Sequence, residues 1–464
     1  MALHKQSSTE EAIPVSIQPQ FCRSGEMGQV PRLDIPDVEM DADTAYQVVH
    51  DELMLDGNAR LNLATFVSTW MEPQAAKLMA EAVDKNMIDK DEYPRTAELE
   101  MRCVNMLSRL WNSPSHEQAT GCSTTGSSEA CMLAGLALKW LWRDRQKAAG
   151  KPSDKPNIVM GSNVQICWEK FARYWDVEMR LVPVSADATY MTPEGAVAAC
   201  DENTIGVVAI LGSTYDGVYE PVAQIADALD KLQAEKGLDI PMHVDGASGG
   251  FVAPFIDPHL EWDFRVPRVK SINTSGHKYG LVYPGVGWIV WRNPESLPED
   301  LVFHVDYLGG DMPTFALNFS RPGAQVVAQY YNFLRLGRDG YRRVQQAGRD
   351  IAMGMAERVE QLGPFELVSR GEGLPLFAFK LKPEVDRYTV YDVSEVLRGS
   401  GWLVPAYRMP ENIHDMAVLR VVVRNGFSYD LGQLLLGDLA RATERLEKHG
   451  GTPVEEETRS GFHH

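Results

Sequence analysis

Between about residues 60 and 340, short uninterrupted apolar runs alternate with longer stretches of helical period. NIVM (157–160), GVVAIL (206–211), MHVD (242–245), KSINT (270–274) and VGWIVW (286–291) read as strands. Between them, SSEACMLAGLALKWLWRDR, VQICWEKFARYW and EPVAQIADALDKLQAEKG repeat apolar positions every three or four residues. A strand that is apolar on both faces must be covered on both faces, so this alternation predicts a buried, mostly parallel sheet between helices: an α/β fold.

The pattern changes on either side of that block. Residues up to about 40 carry Pro14, Pro19, Pro31 and Pro36 among polar residues without a period, the mark of an extended arm. A helix is expected from near Asp43, whose side chain can cap TAYQVVHDELML. After 340, a helix over 341–362 precedes FELVSR, PLFAFKL, the helix YDVSEVLRGSG, the strands WLVPAYR and VLRVVV, and a last helix over about 430–448. These interleaved strands and helices predict a smaller α+β domain. The expected organisation is an arm and helix at 1–59, a large domain at 60–340, a small domain at 341–450 and a tail at 451–464. No internal repeat is visible.

Charge narrows the partners. With 45 Lys and Arg against 64 Asp and Glu, the net charge is −19, which repels phosphate backbones and anionic lipid, so neither nucleic acid nor a membrane surface is expected. The most apolar stretch, 280–291, contains Pro284 and is well short of the roughly twenty residues a bilayer requires. Six cysteines without a CxxC pair fit reduced thiols, and a cytoplasmic location is expected.

Three local features carry chemistry. SINTSGHKYG (271–280) ends a strand in small residues and presents a His-Lys pair. Upstream, MHVD places Asp245 at a strand's C-terminal end, where α/β sheets bind ligands. GSSEACM (126–132) opens a helix with glycine and two serines, a natural anion cradle. Each alone has a plainer reading: a solvated lysine, a helix-capping aspartate, an ordinary serine cap. Together, an amine, a carboxylate for a pyridinium nitrogen and a phosphate cradle are what pyridoxal 5′-phosphate requires.

Over about 45–430 the chain also resembles the glutamate decarboxylases. The resemblance rests on NLATFVSTWMEP (62–73), DEYP (91–94), GSSEACMLAGLA (126–137), NVQICWEKFARYW (163–175), DENTIGVVAILGST (201–214), SGGF (248–251), SGHKYG (275–280), VDYLGGD (305–311) and NFSRP (318–322). It implies a fold-type-I enzyme that converts L-glutamate to 4-aminobutanoate and CO2, consuming one proton. Aspartate decarboxylation and a catalytically silent scaffold are the alternatives. It further implies that Lys278 carries the cofactor, Asp245 pairs with the ring nitrogen, and Ser127, Ser128 and His277 hold the phosphate. Ser320 would reach that phosphate from a neighbouring subunit. Gln165 and Ala247 would lie on the two ring faces, with Thr214 near the reactive carbon. Thr65, Phe66, Asn86 and Asp89 would surround the distal carboxylate, and Arg424 the α-carboxylate. Fold-type-I sites form across a dimer interface, so a homodimer is the implied minimum and a hexamer of dimers a larger possibility.

One departure stands beside the ring aspartate: Gly246 occupies a position where the family usually has alanine, which gives the loop extra freedom. His243 reads as a packed strand residue, and no metal site is expected, for want of partners at ligand spacing. The tail ends Phe462-His463-His464. Some bacterial family members carry a C-terminal histidine that silences the site above acidic pH, a role His464 could take; a loose tail is the plainer reading. Nothing resembles the Trp-containing basic extension of the plant enzymes, so calmodulin is not an expected partner.

Overall fold

The computed structural model describes residues 31–114, 118–305 and 312–451. They fall into two units, 31–61 and 62–451. In the first, α1 (Ala42–Leu53) begins slightly earlier than expected. Asp41, not Asp43, is the cap, accepting from the Thr44 N–H at 3.1 Å.

The second unit is built on β1 (Thr120–Thr124), β2 (Asn157–Gly161), β3 (Glu178–Val182), β4 (Thr204–Ile210), β5 (Met242–Asp245), β6 (Val269–Ser275) and β7 (Gly287–Trp291). They form a seven-stranded sheet ordered β1-β7-β6-β5-β4-β2-β3. The strands β2 to β6 pair in parallel, and β7 runs antiparallel to β1 and β6. All five strands read from apolar runs are present. The two edge strands, β1 (TGCST) and β3 (EMRLV), escaped that reading because neither contains an uninterrupted apolar run.

Helices α2 (Pro73–Glu81), α3 (Pro94–Leu110), α4 (Ser127–Ala148), α5 (Ile166–Tyr174), α6 (Pro193–Ala198), α7 (Val222–Lys236) and α8 (Ala253–Ile256) surround the sheet. Alternate strand residues feed two separate cores, as period two requires. Val159, Val207, Ala209, Met242, Val244 and Ile272 join one, with Leu107 of α3 and Leu229 of α7. Ile158, Met160, Val208, Ile210 and Ile289 join the other, with Leu138 of α4 and Trp168 of α5. A sheet covered on both faces is what the continuous apolar strands demanded.

Two short strands follow, β8 (Phe303–Val305) and β9 (Met312–Thr314). The helix expected from Tyr341 starts much earlier: α9 (Ala324–Gln361) runs 38 residues with a kink at Gly337. The small antiparallel sheet has the order β10 (Phe365–Ser369), β11 (Leu376–Leu381), β13 (Ala417–Val422), β12 (Ala406–Arg408). It is accompanied by α10 (Val390–Gly399), which starts at a Thr389–Asp392 capping box, and α11 (Tyr429–His449). Among the described residues, no helix is long and apolar enough to cross a membrane.

Candidate active site

The sheet brings its chemistry to one edge. Asp245 closes β5 and Ser275 closes β6, with His277 and Lys278 immediately beyond. At the same edge β7 begins at Gly287 and β1 ends at Thr124, leading through Gly126 into the N-terminus of α4. The approach there is close enough to require glycine. A Cβ on Gly287 would lie 2.5 Å from the carbonyl carbon of Gly126, and one on Gly126 would lie 3.0 Å from His277 Cε1. Ser127 Oγ meets Ser275 Oγ at 2.7 Å, and Ser128 is exposed in the first turn. Two hydroxyls and the first N–H groups of a helix form the anion cradle expected from GSSEACM.

Asp245 is held from every side. Its Oδ1 accepts from the Ala247 N–H and from Asn273 Nδ2, both at 3.1 Å. Its Oδ2 accepts from Trp168 Nε1 at 2.9 Å and from the Cys131 thiol at 3.6 Å. Burial pushes the Cys131 thiol well up, so it stays a thiol and a weak donor. A carboxylate surrounded by donors is stable as an anion and retains acceptor capacity for one strong N–H. Gly246 is tied into this loop by its backbone. Its N–H donates to the Val244 and Asn273 carbonyls, and its own carbonyl accepts from Gly250.

Lys278 is half-buried, with Nζ 3.4 Å from Ser248 Oγ and 5.3 Å from the centre of the Phe66 ring. Burial pulls its pKa down against the opposing pull of Asp245, which favours a neutral, nucleophilic amine. His277 accepts the Val286 N–H on Nδ1 at 3.3 Å, so the neutral ring carries its proton on Nε2. Burial first, and Lys278 second, lower its pKa to about 4. Gln165 caps α5 by accepting the Ile166 N–H at 2.6 Å, and Ala247 accepts the Ser275 N–H at 3.0 Å.

Residues 62–69 form the facing wall. Ser68 anchors it, its N–H donating to the His277 carbonyl and its hydroxyl to the Lys278 carbonyl, each at 2.7 Å. Thr65 turns the chain by accepting the Val67 N–H at 3.2 Å. Arg424 reaches this wall from beyond β13, donating to the Asn62 carbonyl at 2.5 Å, the Val67 carbonyl at 2.6 Å and Thr69 Oγ1 at 3.1 Å. Arg420 on β13 lies 4.8 Å from the Phe66 ring centre and donates to the carbonyls of Ala64 and Thr214. Thr214 is thus placed by its backbone, at the loop after β4.

Asn86, Asp89 and Ser320 gather elsewhere in the chain. Asn86 Nδ2 donates to Ser320 Oγ at 3.3 Å, Asn86 Oδ1 accepts the Arg321 N–H at 3.1 Å, and the Asp89 N–H donates to the Asn86 carbonyl at 3.2 Å. The NFSRP segment is fastened to the cradle by its neighbours. Glu129 accepts from Asn318, and the buried Arg321 pairs with Glu100 at 3.5 Å and donates to Ser123 Oγ at 2.8 Å. His464 lies outside the described residues.

Several residues of this site were missed by the sequence reading: Trp168, Asn273, Cys131, Ser68, Ser275 and Arg420. Trp168 and Cys131 sit inside apolar helical stretches and read as core. Asn273 had one signal, an amide in a buried strand two residues before its end. The donor set fits pyridoxal 5′-phosphate: an anionic acceptor for the ring nitrogen, an amine of lowered pKa, and a phosphate cradle whose glycines leave no room for a Cβ.

Comparison with known proteins agrees. The pyridoxal-dependent decarboxylase conserved domain matches residues 36–382. A glutamate decarboxylase of Aliivibrio fischeri is 57% identical over 438 residues, 94% of either chain. Glutamate decarboxylase 5 of Arabidopsis thaliana is 53% identical over 96% of this chain and 90% of its own. The solved glutamate decarboxylase of Lactobacillus brevis superposes with a TM-score of 0.90 at 46% identity, covering 94% of this chain and 99% of that one. A Burkholderia pseudomallei sphingosine-1-phosphate lyase, 21% identical with a TM-score of 0.76, shares the fold. By the match of family model, sequence and fold, this chain belongs to the glutamate decarboxylases of the pyridoxal-dependent decarboxylase family.

Proposed function

We propose that the protein decarboxylates L-glutamate to 4-aminobutanoate and CO2, taking up one proton per turnover. The observation that carries this reading is the convergence of Asp245, Lys278 and the α4 N-terminus on one sheet edge. When bound, pyridoxal 5′-phosphate supplies an electron sink for the pair left behind by the departing carboxylate. The chain's own residues do the rest. Asp245 keeps a proton on the ring nitrogen. Ser127, Ser128 and His277 would hold the phosphate, joined by Ser320 of a neighbouring subunit. Gln165 and Ala247 would lie on either side of the ring, with Thr214 near the amine of Lys278. Lys278, whose amine burial makes easier to deprotonate, would carry the cofactor.

Arg424 grips the α-carboxylate, a task suited to a planar guanidinium that never deprotonates. Thr65 and Phe66 would bound the distal carboxylate, and Asn86 and Asp89, which gather apart from them within one chain, would join them from a neighbouring subunit. The wall at 62–69 and the small sheet behind it exclude water from the bond that breaks. In this reading residues 60–340 bind the cofactor and 341–450 close over it. Two chains at least assemble, in the cytoplasm, without calmodulin.

The test is CO2 release from L-glutamate and from L-aspartate, with and without added cofactor, over about pH 4 to 7.5. Glutamate should give 4-aminobutanoate and CO2 in equal amounts, with cofactor required. Preference for aspartate, or no CO2 from either, would overturn the proposal.

A further inference from the structure

On the face of the sheet beneath α4 and α5, four polar side chains sit side by side among apolar neighbours. His243 and Asp245 lie two apart on β5, and Ser271 and Asn273 two apart on β6, so all four point to one face. The parallel register pairs His243 with Ser271 and Asp245 with Asn273. All four are at most 5% exposed. An unpaired polar group in such a layer costs about 1–3 kcal/mol, so a four-residue patch survives only if fully paired. The pairing is present. Ser271 Oγ meets His243 Nδ1 at 2.8 Å, His243 Nε2 meets Asn273 Oδ1 at 2.8 Å, and Asn273 Nδ2 meets Asp245 Oδ1 at 3.1 Å. Trp168 covers the patch, its ring 5.3 Å from the His243 ring and its indole N–H on Asp245.

The chain of hydrogen bonds has a single possible direction. An ionised carboxylate only accepts, so the Asn273 NH2 must face Asp245 and its carbonyl must face His243. That places the imidazole proton on Nε2 and leaves Nδ1 to accept from the Ser271 hydroxyl. Burial keeps the ring neutral by lowering its pKa to about 4. Every donor therefore points toward Asp245.

We infer that Ser271, His243 and Asn273 are positioning residues: a one-way hydrogen-bond chain, capped by Trp168, that fixes Asp245 as an oriented anion for the cofactor's ring nitrogen. The inference rests on the reading that Asp245 takes that nitrogen, and it assigns a role to a histidine that touches neither substrate nor cofactor. Removing His243 leaves Asn273 without its orienting donor, and the amide can then rotate away from Asp245. The ring nitrogen loses part of its proton as a result, while Lys278 and the phosphate cradle remain intact.

Two readouts test this on the full-length chain, neither of them activity. The first is affinity of the cofactor-stripped protein for pyridoxine 5′-phosphate, which has no aldehyde and so cannot bond Lys278. The second is the 15N shift of the pyridine nitrogen after loading with labelled pyridoxal 5′-phosphate. His243→Leu should weaken analogue binding about tenfold or more and move the shift toward unprotonated pyridine. His243→Gln, which restores an N–H donor near the Nε2 position, should recover most of both. Should His243→Leu not fold, Ser271→Ala removes a single hydroxyl and should produce a smaller displacement in the same direction. Wild-type affinity and an unmoved 15N shift in the folded variants would overturn the inference. If the wild-type chain itself does not bind the analogue, the cofactor reading fails and takes the inference with it.

Discussion

At the scale of single residues, what could be read from sequence was what acts through its immediate neighbours in the chain. Lys278 was visible because His277, Gly276 and Ser275 accompany it, and Asp245 because it ends an apolar strand. Residues that act across strands gave little signal. Asn273 meets Asp245 over a span of 28 residues, and Arg420 reaches Ala64 over 356. Glu220 is another such case. It is buried, accepting the Ile210 N–H at 2.7 Å and the Met191 N–H at 3.0 Å, and burial raises its pKa from 4.5 to about 7. A folded state that holds this proton more tightly than the unfolded chain gains stability below the unfolded pKa. That gain disappears as pH rises through the folded value. Glu220→Gln cannot ionise. Its stability relative to wild type should therefore improve as pH rises from 4.5 to 7. Denaturant unfolding of both proteins across that window measures it, and a pH-independent difference would refute the raised pKa.

Among elements, periodicity identified the buried strands and missed the edges. The five strands β2, β4, β5, β6 and β7 were legible as apolar runs; β1 and β3 at the sheet's margins were not. The start of α9 was also missed, because polar residues and Gly337 interrupt its period. The kink there has a definite cause. Gly337 has φ 57° and ψ −171°, a region essentially closed to side-chain-bearing residues, although no atom lies within 4 Å of where a Cβ would be. Gly337→Ala therefore meets no steric clash and only backbone strain. It should destabilise the protein by about 1–3 kcal/mol, measured by urea unfolding. Unchanged stability would mean that the kink can be straightened without cost to the helix on either side.

For the whole molecule, the net charge of −19 looks unfavourable for an anionic substrate. The site resolves this locally. Arg420 and Arg424 are buried beside Phe66 and the 62–69 wall, so cationic groups converge within a molecule whose overall sign is opposite. In a medium of low dielectric, nearby charges outweigh screened ones on the distant surface. The α/β layer was expected from the alternation before residue 340, and a smaller α+β part from the change of pattern after it. The grip of β13 on residues 62–64 was not, because it joins segments far apart in the chain: Val422 donates to the Leu63 carbonyl at 3.1 Å. The account depends most on the place where the cofactor is held. Reducing the cofactor-loaded wild-type chain with borohydride and mapping the modified peptide tests that directly. The account predicts one tagged lysine, Lys278 within SGHKYG; a tag on another lysine, or none, would contradict it.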